Sequence, residues 1–115
     1  IVVPKNRESF IKDEKRLIQE EYILINNKKG AQIKLIAIAV IFWANGIVKG
    51  YNENRKIKFS DWLNFLSDRY NIPLGDMKKP SKYKSDKGFG KNYEKLAQYS
   101  PFWFHNSLSS SPKFP

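Results

Sequence analysis

Ala31-Gln32-Ile33-Lys34-Leu35-Ile36-Ala37-Ile38-Ala39-Val40-Ile41-Phe42-Trp43-Ala44-Asn45-Gly46-Ile47-Val48 is the stretch on which the fold turns, and from Leu35 to Ala44 no polar side chain interrupts it. A segment apolar on every side is buried on every side. Its β-branched residues Ile33, Ile36, Ile38, Val40 and Ile41 would also suit a central strand, but so long a run without a turn signal predicts a helix. It is short for a membrane span. The 14 residues between Lys34 and Lys49 cover about 21 Å of a hydrocarbon core roughly 30 Å thick. The reading is a core helix, with Gly46 and Gly50 where it frays and Gly50 to Asn54 as a turn.

Working outward, Phe10, Ile11, Leu17, Ile18, Tyr22 and Ile25 recur close to the helical period among Glu, Lys and Arg, which predicts an amphipathic helix from about Asn6 to Asn27. Asn6 or Ser9 can cap its start, Lys28 and Lys29 suit the dipole at its end, and Gly30 reads as its stop. On the other side, Lys56 to Phe59 reads as an extended lead-in to a helix that Ser60 caps and Asp61 favours in its first turn. Trp62, Phe65, Leu66, Arg69 and Tyr70 then fall at i, i+3, i+4, i+7 and i+8, and Pro73 ends this helix near Asn71.

Residues 73–91 change character. Pro73, Gly75, Pro80, Gly88 and Gly90 punctuate a lysine-rich run that reads as a basic loop, and Asn92 to Tyr99 as a short final helix stopped by Ser100-Pro101. Phe102, Trp103 and Phe104 form an aromatic cluster ahead of a serine- and proline-containing tail expected to be disordered. At 115 residues, the chain is of one-domain size and buries roughly two-thirds of its unfolded surface. The expected fold is all-α: a compact bundle of three to five helices in a single domain over residues 1–100, with the basic loop at 73–91 and the aromatic cluster and flexible tail at 101–115.

Charge narrows the function. The chain carries 21 Lys and Arg against 11 Asp and Glu, a formal net charge of +10. Residues 1–27 are neutral, with five of each sign, so the whole excess lies from Lys28 onward. An AT-rich genome explains 17 Lys against 4 Arg, but not the shortage of acids after residue 28, since glutamate codons are equally available there. A polyanionic partner follows. With no cysteine, disulfides, thiolate metal sites and cysteine nucleophiles drop out, and a reducing, cytoplasmic setting is expected. A first residue of Ile1 reads as a processed form, a piece of a longer protein or an unusual start, and Lys5, Arg7, Glu8 and Lys12 to Arg16 interrupt any signal-peptide core.

The best candidate site lies within the basic loop: Lys78, Lys79, Lys82, Lys84, Lys87 and Lys91 are six lysines in fourteen residues, interleaved with Tyr83 and Phe89. Lysines neutralise phosphates, and a neighbouring aromatic such as Tyr83 can stack on an unpaired base. Base edges are usually read by the bidentate Arg fork, which this loop lacks, so backbone contacts without sequence preference are expected. Lys87-Gly88-Phe89-Gly90 matches the first half of the octamer of RNA-recognition motifs, but Lys91, Asn92 and Glu94 break the second half. The same glycines do not fit a GxxxxGK[ST] phosphate loop. Asp76-Met77-Lys78, with Asp61 or Asp68 upstream, has the acid-x-Lys spacing of a metal-dependent nuclease, although Leu74-Gly75 is a poor strand to carry it. His105 has no second His or Cys to share a metal, and no cofactor motif is present, so neither metal nor cofactor is expected. Asp13-Glu14 and Glu20-Glu21 read as a solvated helix face. Phe102, Trp103 and Phe104 are candidates for a protein interface.

Size, helical content, a basic face and the absence of a catalytic motif resemble, over residues 6–99, the small subunit of CRISPR effector complexes. That resemblance implies a helical bundle stacked in several copies along a guide-RNA complex in antiviral defence, with lysines on the displaced or target strand. Some members of the family arise from an internal start within the large-subunit gene, which would suit a chain beginning at Ile1. The expected function is a non-enzymatic subunit that binds DNA or RNA backbone beside other protein subunits, away from membranes. The alternatives are a protein-binding regulator or inhibitor with a basic face, and a metal-dependent nuclease.

Overall fold

Leu35 to Phe42 are each at most 3% exposed, so the central stretch is enclosed on all sides. The structure, a computed structural model, describes residues 2–4, 7–44, 48–52 and 55–98. Its elements run β1 (Val2–Pro4), α1 (Arg7–Gln19), α2 (Ala31–Ala44), β2 (Val48–Asn52), β3 (Arg55–Lys56), α3 (Phe59–Tyr70), a 3-10 turn (Gly75–Lys78), α4 (Pro80–Tyr83) and α5 (Lys87–Ala97). The body is a small helical bundle, as the periodicity predicts. α2 is its axis, with α3, α5 and the 3-10 turn packed on it. One aromatic group closes the core: Trp62 stacks on Phe65 at 5.5 Å and meets Phe10 and Phe42 edge-on, each at 6.2 Å. The Trp62 indole N–H donates to the buried Ala39 carbonyl at 3.1 Å, tying α3 to the middle of α2.

Several boundaries differ from the sequence reading. α1 ends at Gln19 rather than near Asn27, because Glu21 turns left-handed at φ 62°. The Tyr22 N–H then reaches the Leu17 carbonyl at 2.8 Å, and the Glu21 N–H reaches that of Ile18 at 3.2 Å, the two bonds of a Schellman ending. Lys28, Lys29 and Gly30 therefore do not close α1. They lead into α2, with Gly30 at φ 83°. α3 ends as predicted, with Asn71 left-handed at φ 54°. It starts two residues early, however, so Lys58 and not Ser60 stands at its cap, and the Asp61 carboxylate accepts the Lys58 N–H at 2.6 Å.

The body also carries a small antiparallel sheet in the order β1-β2-β3, in which Val2 pairs with Gly50, Pro4 with Val48, and Tyr51 with Lys56. Val48 thus leaves the predicted core helix for a strand, and Gly50 to Asn52 are strand rather than turn. The partner of β2 lies more than forty residues upstream, so local pattern carries no trace of this pairing. Asn6, Gly46, Phe102, Trp103, Phe104, His105 and the predicted tail lie outside the described residues.

Candidate nucleic-acid interface

The lysine-rich segment is not a loop. Leu74, Tyr83 and Phe89 are each less than 5% exposed, and burying them winds the chain into the 3-10 turn, α4 and the first half of α5. Pro80, read from sequence as a breaker, instead opens α4 at its first position, where a missing N–H and a fixed φ cost nothing. The Ser85 hydroxyl donates to the Ser81 and Lys82 carbonyls at 2.9 and 3.0 Å and closes that turn. Asp86 then caps α5, accepting the Gly88 N–H at 2.7 Å. Gly88 is where α5 touches α2: a Cβ there would lie 3.5 Å from Ile33 Cγ2.

This winding sends aromatics in and lysines out. Tyr83 packs at 5.2 Å from Phe89 and 6.4 Å from Phe59, so it is a core residue and not the base-stacking platform predicted from sequence. Burial pushes the phenols of Tyr83 and Tyr93 up, and both stay neutral. Lys78, Lys79, Lys82, Lys84, Lys87 and Lys91 are all exposed. Lys78 reaches the Asn64 side-chain oxygen at 3.2 Å, and Lys79 lies 3.7 Å from the Asp76 carboxylate, a solvated pair worth little.

Lys84 and Lys87 line one open depression with Ser85, Asp86, Phe89 and Gly90. Lys28 and Lys29 line a second with Met77 and Asp86. Asp86 borders both, so lysines nearly sixty residues apart in sequence gather around the start of α5. Lys95 extends the surface, since Lys87, Lys91 and Lys95 recur every four residues along one face of α5, about 6 Å apart. That spacing was legible in the sequence, but reading residues 73–91 as a loop hid it.

No known protein family, curated protein or solved structure matches this chain. Its chemistry must be read from its own side chains. The nuclease-like acids are dispersed: Asp76 sits on the 3-10 turn beside Lys79, Asp61 is bound to the Lys58 N–H, and Asp68 is exposed on α3. Among the described residues, no three Asp, Glu, His or Cys side chains are grouped to hold a metal ion. No helix among them is long and apolar enough to cross a membrane. The acids of α1 are not a uniformly solvated face, because Asp13 is buried and Glu14 is bound to Arg69 and Tyr70 of α3, while Glu20 pairs with Arg16 at 3.2 Å and Glu21 is exposed.

Proposed function

We propose that this chain is a non-enzymatic nucleic-acid-binding protein that grips the phosphate backbone through the lysines around α4 and α5. The observation that carries the reading is the gathering of Lys28, Lys29, Lys84 and Lys87 about Asp86, with Tyr83 and Phe89 turned into the core. Ammonium groups are point charges suited to phosphates, and no aromatic of this segment is left outside to stack on bases. Contacts of this kind carry no sequence preference. The chain then serves as a subunit of a larger cytoplasmic nucleoprotein assembly, of the sort its resemblance to CRISPR small subunits implies.

Anisotropy titration of a fluorescein-labelled mixed-sequence 20-mer, duplex and single-stranded, at several salt concentrations tests this. The logarithm of affinity for the duplex falls with the logarithm of salt at a slope of about −4, nearly one unit for each phosphate contact. Replacing Lys87 and Lys91 together by Gln makes the slope shallower by about 2 and weakens every sequence alike. A salt-independent response, or a nuclease-resistant protein partner held in place of nucleic acid, overturns the reading in favour of a protein-binding face.

A further inference from the structure

Four glycines have described surroundings, and three have a reason within the fold. Gly30 and Gly75 adopt φ of 83° and 54°, which side chains rarely tolerate, and at Gly88 a Cβ would come within 3.0 Å of Asp86 Oδ1. Gly90 has neither reason. It lies inside α5 without a left-handed φ, it is exposed, and among the described residues nothing stands within 4 Å of where its Cβ would be. Glycine is the poorest helix former after proline, so the fold alone would be better served by almost any other residue here. The position is also particular. Gly90 lines the depression that holds Lys84 and Lys87, one turn after Lys87 and beside the lysine stripe that continues to Lys95.

We infer that the phosphodiester backbone comes closest to the protein at Gly90, where bare main chain lets it settle into the depression lined by Lys84 and Lys87. This rests on the nucleic-acid reading above and adds a place to it. Bare backbone is what close approach of an extended ligand requires, because a side chain would hold the phosphates away from the ammonium groups that share the depression.

The test compares Gly90→Ala, Gly90→Gln and the Lys87→Gln, Lys91→Gln double variant in the full chain, by duplex anisotropy at fixed low salt and by thermal unfolding. Gly90→Ala raises Tm by a few degrees because the helix gains a better former, so weaker binding there cannot come from misfolding. The expected loss is about threefold for Gly90→Ala and about tenfold for Gly90→Gln, with the lysine double variant losing at least as much. Gly90 variants that bind as tightly as the parent, while the lysine variant is weakened, overturn the close approach and leave the nucleic-acid reading standing. A lysine variant that binds as the parent does, or a parent that binds no duplex, overturns both.

Discussion

Glu14 joins the first helix to the third. Its carboxylate accepts bonds from the Arg69 guanidinium, with Nη2 at 2.9 Å, and from the Tyr70 hydroxyl at 2.5 Å. Partial burial pushes this carboxyl up, but the two hydrogen bonds and the Arg69 charge outweigh it and hold the group below its ordinary value of 4.5. Burial, then the bond to Glu14, pushes the Tyr70 phenol the other way, so it remains a donor. A depressed carboxyl stabilises the fold above its ordinary value, and that contribution disappears as pH falls through the lower folded value. Glu14→Gln is therefore expected to cost about 1 kcal/mol at neutral pH, the usual worth of a partly solvated charged pair. The gap to the parent narrows at acid pH, as pH falls below the ordinary carboxylate value and through the lower folded one. Urea unfolding at both pH values checks this, and an equal gap at each would remove Glu14 from the account. Arg69 also lies over the Phe10 ring at 5.6 Å. A residue that sequence spacing places on the apolar face of α3 is thus half ion-pair partner and half packing surface.

At the scale of elements, the ends of helices were harder to read than their faces. α1 and α3 close with the same pair of reversed hydrogen bonds, Tyr22 to Leu17 with Glu21 to Ile18, and Ile72 to Ser67 with Asn71 to Asp68. Asn71 gives a recognisable signal for this turn and Glu21 gives none, since only Gly and Asn adopt left-handed geometry cheaply. Glu21→Gly is expected to stabilise the protein by about 1 kcal/mol by removing that strain. Glu21→Ala, which removes the charge but not the strain, should leave stability close to the parent. Tm measurements on the pair decide it, and a gain from Ala equal to that from Gly would assign the effect to charge. The same limit of local signals produced the misread lysine segment. Proline and glycine mark breaks in a chain seen alone, yet Pro80 begins a helix and Gly88 lets one pack closely, because Leu74, Tyr83 and Phe89 are drawn into the core.

For the whole molecule, Trp62 is the point of greatest leverage. It is fully buried, touches Phe10, Phe42 and Phe65, and reaches the backbone of α2, so α1, α2 and α3 meet on one side chain. Trp62→Ala is expected to cost about 3–5 kcal/mol, close to the entire stability of many small domains. Trp62→Phe keeps one ring in the core but gives up the bond to Ala39 and part of the buried indole volume, for about 2 kcal/mol. Denaturant midpoints order these as parent, Phe variant, Ala variant, and an Ala variant within 1 kcal/mol of the parent would show that the core repacks around the gap.

The amino-acid sequence alone determined that α1, α2 and α3 are helices and that α2 is buried on every side. It also placed the excess of positive charge after residue 28, because periodicity and charge are properties of neighbours along a chain. Only the tertiary structure decided that Tyr83 is core and not a stacking surface, that Lys28 and Lys29 stand beside Asp86 with Lys84 and Lys87, and that Val2 to Pro4 find a partner strand at Val48 to Gly50. Each of these depends on contacts between residues far apart in the chain, and the burial of one apolar side chain sets where its charged neighbours point.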